Sequence, residues 1–304
     1  MILSCGEALI DMLPRKTTMG EDVFAPYPGG AVFNTAIGLG RLGVSSQFLC
    51  GMSSDFLGDI LRDALTASGV DHSPSPSMVA PCTVAFVKLV NGQATYAFYD
   101  ENSAMRTMTA APAVEADALF FGGISLVGDG CGAVYESLML REAPSRVTMI
   151  DPNIRPSFIK DVVAYRTRID RMMAAADVIK LSDEDLHWME GEGDLGELAI
   201  GLVQKGAKLV CITQGADGVM GYTANHKVFM PSERAEVVDT VGAGDTFNAG
   251  LLAGLERGGC LTKARIAALS EDEISAALRL GVRAAAVTVS RAGANPPTAA
   301  ELGL

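Results

Sequence analysis

The run Asp239-Thr240-Val241-Gly242-Ala243-Gly244-Asp245-Thr246-Phe247-Asn248-Ala249-Gly250 sets a carboxylate within one turn of a glycine-rich bend. Gly242, Ala243 and Gly244 carry almost no side-chain bulk. From Ala243 to Glu256 the apolar residues Phe247, Leu251 and Leu255 recur every four positions, which is a helical period. A helix opening on such a bend leaves its first backbone N–H groups unpaired, and with the helix dipole they form a site for an anion. A carboxylate beside a bound phosphate is electrostatically costly. Asp245 makes chemical sense there as the base that takes a proton from a nucleophile attacking the phosphate. The N–H groups of Gly242, Ala243, Gly244 and Asp245 would stabilise charge on the transferred group. An acid that merely favours the helix dipole explains Asp245 taken singly but not the run, whose chance occurrence is on the order of one in a million from average residue usage.

Other polar residues fall where apolar runs end. Ile2 to Cys5 reads as a buried strand, followed by Gly6-Glu7-Ala8-Leu9-Ile10-Asp11 at its carboxyl end, where α/β proteins place ligand groups. Asp11 is either a carboxylate accepting two hydrogen bonds from the hydroxyls of a ligand or an ordinary loop acid. Gly29-Gly30 turns into a helix running to about Leu42; the glycine pair admits a ligand close to the backbone. Asn34, one turn in, offers a donor and an acceptor. Gly38-Leu39-Gly40-Arg41-Leu42-Gly43 formally matches the dinucleotide fingerprint, yet it closes a helix rather than opening one. It reads as small residues for close helix packing, with Gly43 as a C-terminal cap. No Walker-type phosphate loop is present.

The run 239–250 resembles the second signature of the ribokinase-like (PfkB) sugar kinases. Residues 29–36 resemble the first, in which the glycine pair and the Asn bind the sugar. Asp151-Pro152-Asn153-Ile154-Arg155 resembles the D-P-N-x-R of the fructokinase and 2-keto-3-deoxygluconate kinase branch. Arg155 then touches the sugar or a phosphate, or makes a surface salt bridge. Lys180-Leu181-Ser182-Asp183-Glu184-Asp185 stands where the family has N-x-x-E, which orders Mg²⁺ and its waters. Here Ser182 and Asp185 align, with Glu184 adjacent; the departure leaves open which acid orders the metal, and a capped helix start is the other reading. Thr213-Gln214-Gly215-Ala216-Asp217-Gly218 resembles the family's T-x-G-x-x-G, implying nucleotide contacts from Thr213, Gly215 and Gly218. The resemblance also implies a monovalent cation such as K⁺ near Asp239 and Thr240. Residues 284–286 and 290–295 resemble the segments that wall the adenine and hold that cation.

These groups need a scaffold. Segments 118–121, 147–150, 177–181 and 208–213 read as parallel strands with helices near 130–142, 161–175, 183–190 and 194–205 between them. That rhythm gives a doubly wound, mostly parallel sheet flanked by helices, a single α/β domain over 1–304. Residues 47–51 read as a further strand, and 55–68 as a helix with Phe56, Ile60, Leu61 and Leu65 inward. Two strands joined by Asn91-Gly92, a strong hairpin signal, interrupt the alternation. With about residues 12–28, whose composition suggests a loop or short edge strands, residues 83–99 form a small β-sheet lid. Tyr96 and Phe98 face the sugar or pack within that sheet. In the family such a lid covers the sugar and often pairs two subunits, so a homodimer is one expectation.

The chain has 304 residues, 49% hydrophobic and 20% charged, with a net charge of −12; that balance argues against nucleic acid and anionic membranes as partners. The six cysteines show no C-x-x-C pair and mostly lie in apolar runs, as reduced core residues do. The start lacks a basic lead and meets Glu7 early, unlike a secretory signal, and no run of about 18 apolar residues exists; a cytoplasmic location is expected. The expected activity is ATP-dependent, Mg²⁺-assisted phosphorylation of a sugar, D-fructose to fructose 6-phosphate. The alternatives are 2-keto-3-deoxygluconate kinase or ribokinase-type activity. A nicotinamide dehydrogenase rests only on residues 38–43, and a non-catalytic sugar-binding regulator is opposed by the intact Asp245. In the acid-sugar branch an Arg precedes the Gly-Ser-Ala of the lid and grips the substrate carboxylate. Here that position is Asp100, beside Glu101, which favours the neutral sugar, with Arg106 near enough to offset them in part.

Overall fold

The computed structural model describes the backbone of residues 1–90 and 93–304, and the side chains of these except 89, 90 and 93–96. In chain order the elements are β1 (Ile2–Cys5), β2 (Leu9–Lys16), β3 (Asp22–Gly29), α1 (Ala31–Arg41), β4 (Ser46–Leu49), β5 (Met52–Ser53), α2 (Phe56–Ala67), β6 (Val70–Asp71), β7 (Ser77–Met78), β8 (Val84–Val90), β9 (Gln93–Tyr99), β10 (Ala118–Gly122) and α3 (Cys131–Glu142). Then come β11 (Val147–Asp151), α4 (Val162–Ala175), β12 (Val178–Ser182), α5 (Asp183–Glu190), α6 (Leu195–Gln204), β13 (Leu209–Thr213), β14 (Val219–Tyr222), β15 (Lys227–Met230), α7 (Ala243–Arg257), α8 (Lys263–Ile266) and α9 (Glu271–Val289).

Nine strands form the main sheet, in the order β15-β14-β13-β12-β11-β10-β1-β4-β6. Neighbours from β6 to β13 are parallel, and β14 and β15 add an antiparallel edge. β1, β10 and β11 are buried at every position, as expected of strands covered on both faces. From β1 the chain winds to β4 and β6 on one side, then to β10 and beyond on the other. The crevice between the carboxyl ends of β1 and β10 is therefore the topological switch point, where such sheets bind ligands.

Gly38 and Gly40 lie inside α1, as the packing reading requires. A Cβ at Gly38 would come within 2.7 Å of the Ala249 Cβ of α7, and one at Gly40 within 2.2 Å of the Ser68 carbonyl. Gly43 has φ +80 just past the helix, the conformation of a glycine cap.

A second sheet, β3-β2-β8-β9, stands apart from the first. Its first half is two paired eight-residue strands, longer and more regular than a loop or edge strands. β8 and β9 pair from Val84–Tyr99 to Val90–Gln93, while Asn91 and Gly92 lie outside the described residues.

Two local readings need correction. Phe56 is 75% exposed. The inward stripe of α2 instead runs through Leu57, Leu61 and Leu65, spaced four apart, and Phe56 lies about 100° around the helix from it. Val237 and Val238, whose apolar side chains suggest a strand leading into the glycine bend, are 63% and 61% exposed and belong to no strand.

Candidate active site

The carboxyl ends of β1, β10, β11, β12 and β13, the start of α7 and the tip of the second sheet surround one cavity of about 1010 Å³. That volume suits a sugar together with a nucleotide. The structure brings Gly30, Phe98, Arg155, Ser182, Glu184, Asp185, Thr213, Gly215, Thr240, Gly242, Ala243, Gly244 and Asp245 to its wall. Five expected residues, Asp11, Gly29, Asn34, Gly218 and Asp239, are not on the wall. Asp11 folds its carboxylate against Gly29, where a Cβ would meet Oδ2 at 2.4 Å; burial raises that carboxyl to about 6. Gly218 packs against Met230 and Pro231 at the end of β15. Asp239 binds the backbone, its Oδ1 accepting from Val241 N at 3.0 Å and its Oδ2 from Gly293 N at 2.9 Å. The side chain of Tyr96 lies outside the described residues.

α7 begins as its sequence demands. Gly242, at φ +77, takes the left-handed turn. A Cβ there would also strike Ala294, at 2.6 Å. Ala243 N is used on the Thr240 carbonyl at 3.3 Å, so it is not one of the free donors. Among the described residues, Gly242, Gly244 and Asp245 have N–H groups with no protein acceptor, as first-turn amides do.

Asp245 is 7% exposed. Its Oδ2 accepts from Asn34 Nδ2 at 2.9 Å, and its carbonyl accepts from Thr35 Oγ1 at 3.1 Å. α1 thus holds this residue twice. Burial raises the Asp245 carboxyl to about 7, with Asp151 and Glu7 adding to the rise and the Asn34 hydrogen bond and Lys180 opposing it. A base with a proton affinity near neutral pH is what proton abstraction from a hydroxyl requires.

Beneath the cavity lies a buried polar set that the sequence reading passed over. Lys180 Nζ donates to Asp151 Oδ2 at 3.0 Å, Asn248 Nδ2 donates to the same oxygen at 2.7 Å, and Asn153 N donates to Asp151 Oδ1 at 3.2 Å. Burial would lower the Lys180 pKa, but the carboxylates of Asp151, Asp185 and Asp245 outweigh it and the net shift is upward. Asn153 has φ +47, uncommon for a residue with a side chain, and lines the cavity. A lysine within Val-Ile-Lys-Leu-Ser was the available signal, because a charge inside a buried strand requires a partner.

Ser182 caps α5, its Oγ accepting from Asp185 N at 3.0 Å, so the capped-helix reading of that turn is realised. Asp185 is buried, accepts from Ile154 N at 3.2 Å, and is raised to about 6 by burial and by Asp151. Glu184 is exposed on the same wall. Arg155 meets only the Ile154 carbonyl, at 3.0 Å, among the described residues and lines the rim. Phe98 of β9 crosses from the small sheet to meet Phe158 edge-on, centroids 4.5 Å apart, and both rings line the cavity.

The profile of the pfkB family carbohydrate kinases matches residues 1–301. A fructokinase of Rhizobium leguminosarum bv. trifolii is 56% identical over 278 residues, covering 90% of this chain and 85% of that protein. Fructokinase-2 of Solanum lycopersicum is 30% identical over 317 residues, covering 99% of this chain and 94% of its own. Among solved structures, a fructokinase of Xylella fastidiosa with bound ATP superposes with a TM-score of 0.87 at 29% identity, over 96% of this chain and 93% of the other.

Proposed function

The chain belongs to the pfkB family of carbohydrate kinases, and we propose that it transfers the γ-phosphoryl group of ATP to the 6-hydroxyl of D-fructose. The observation that carries the reading is Asp245, held by Asn34 at the mouth of three free amides inside the cavity. Glu7, Gly30, Phe98 and Arg155 line the part of the cavity that takes the sugar, and Ser182, Thr213 and Gly215 the part that takes the nucleotide. Asp245 accepts the hydroxyl proton, and the amides of Gly242, Gly244 and Asp245 hold the charge of the transferring group. The family's magnesium ion fits here. Among the described residues no cluster of three ligating side chains cages a metal. Exposed Glu184 and half-buried Asp183 nevertheless offer oxygen to an ion that keeps several waters and rides on substrate phosphates. When bound, the ion neutralises phosphate charge. A monovalent cation would sit by Asp239 and Thr240, where the Asp239 carboxylate retains acceptor capacity beyond its two amide bonds.

The neutral sugar is favoured at the lid edge. Asp100 Oδ2 binds Arg106 at 2.7 Å and 2.8 Å, and Arg106 also donates to the Val127 carbonyl at 2.8 Å. Arg106 is thereby committed within the protein, and no arginine replaces Asp100 to grip a substrate carboxylate. Fructose should show kcat/KM at least about tenfold above 2-keto-3-deoxygluconate, a gap of roughly 1.4 kcal/mol. Preference for the acid sugar would overturn the substrate assignment and leave the kinase standing.

The β3-β2-β8-β9 sheet would act as the lid, closing through Phe98 and Phe158, and its exposed Phe24 and Tyr99 suit a second subunit. Hydrogen exchange in β8 and β9 should slow on addition of saturating fructose. An unchanged rate would count against a lid.

A further inference from the structure

We propose that Glu7 is a positioning residue of this site: its carboxylate staples the start of α1 to the turn after β10 and, through α1, holds Asn34 on Asp245. Glu7 follows β1 and is 1% exposed. Its Oε1 accepts from Ala31 N at 2.9 Å and from Val32 N at 3.4 Å; its Oε2 accepts from Ser125 N at 3.2 Å. The helix has no cap of its own, since its N-cap residue is Gly30. A carboxylate from another element does that work and suits the dipole.

The surroundings are shaped to this side chain. Gly30 has φ +114 and Gly123 has φ +66. A Cβ at Gly30 would lie 2.8 Å from the Glu7 carbonyl, and one at Gly123 2.0 Å from Glu7 Oε1. Glu7 therefore spans the switch-point crevice between β1 and β10, on the cavity wall. No cation pairs with it among the described residues; backbone amides alone compensate its charge. Asn34 lies one turn along α1 from these bonds, and Thr35 beside it holds the Asp245 carbonyl. A loosened α1 start moves the one side-chain donor on the base among the described residues, and misplacement of about 1 Å costs on the order of 10²-fold in rate.

Glu7 also acts through charge. The groups that act on the Asp245 carboxyl are Asn34 of α1, Asp151 of β11, Lys180 of β12 and, most weakly, Glu7, whose charge raises the proton affinity of Asp245 by a small amount. Removing it leaves Asp245 easier to ionise, so the acid limb of kcat/KM moves to lower pH.

The test is Glu7→Gln, Asn34→Ala and the double variant, each assayed for kcat, KM and pH profile with ATP and fructose. Glu7→Gln keeps the shape and one acceptor. It should lower kcat at least about tenfold, move the acid limb down in pH and leave KM for ATP unchanged. In the double variant the loss should be no greater than for Asn34→Ala alone, because both act on one contact. Wild-type kcat and pH profile in Glu7→Gln, or losses that multiply, would overturn the proposal, whatever happens to Tm. If Glu7→Gln does not fold, Gly123→Ala, which presses a methyl on the carboxylate but keeps its charge, is read by kcat alone and by its combination with Asn34→Ala: a loss of kcat that does not multiply with that of Asn34→Ala supports the proposal, and wild-type kcat or multiplying losses overturn it. The inference rests on the phosphotransfer reading of the cavity. A wild-type chain inert toward fructose defeats that reading and this one with it, whereas an active wild type matched by Glu7→Gln defeats this one alone.

Discussion

Replacing Asp245 with Asn is expected to cost about 10²–10⁴-fold in kcat while the protein stays folded and binds both ATP and fructose. The side chain is nearly isosteric, and its amide oxygen can still accept from Asn34 Nδ2, which now stands at 2.9 Å from Oδ2. What disappears is the proton acceptor. The same change should leave stability equal or higher above pH 7. The sign follows from the folded state, where burial lifts the carboxyl from its ordinary range to about 7. A carboxylate whose folded pKa is raised is bound to more protons folded than unfolded, so folding loses stability as pH rises from the unfolded value through about 7. Asn removes that cost, on the order of a few kcal/mol. In the wild type, kcat/KM should fall as pH drops through about 7, because the base becomes protonated. A loss under tenfold in Asp245→Asn, with both ligands bound, would remove Asp245 from the role of base.

Replacing Lys180 with Met is expected to destabilise the protein by roughly 3–5 kcal/mol, a fall in Tm on the order of 10 °C. Lys180 and Asp151 have side chains 6% and 1% exposed and lie 3.0 Å apart. Removing the ammonium strands a carboxylate in the sheet, with only Asn248 and the Asn153 amide left to solvate it. Adding Asp151→Asn should recover most of the loss, since a neutral amide tolerates burial far better than an unpaired charge. Thermal unfolding of the two single variants and the double one measures the coupling. Additive losses would show that the pair is not a unit.

The elements that the sequence displayed best were those whose burial follows a simple rule. β1, β10, β11, β12 and β13 are short apolar runs between helices of ordinary period, and their boundaries moved by a residue or two at most. The start of α7 was legible because three small residues before a helical stripe admit few conformations. Phe56 misled because size and hydrophobicity do not fix the phase of a helix; the Leu57-Leu61-Leu65 spacing does. The regular pairing of β2 with β3 was hidden by three prolines, Pro14, Pro26 and Pro28, within the strands. In the site, Asn34 and Asp245 were found separately, but their contact spans 211 residues and appears only in the fold. Glu7 has ordinary neighbours in the chain, and although Lys180 stands out within an apolar run and Asp151 opens a motif, nothing local pairs the two. Their importance comes from burial, which local sequence does not state.

The most direct test of the central claim is ADP release by the purified chain, coupled to NADH oxidation, with ATP, Mg²⁺ and a panel of sugars and nucleosides. The account predicts sugar-dependent release with fructose giving the highest kcat/KM and fructose 6-phosphate as the product, and only a trace of that rate in Asp245→Asn. Release with no dependence on any sugar, or equal turnover in Asp245→Asn, would contradict it.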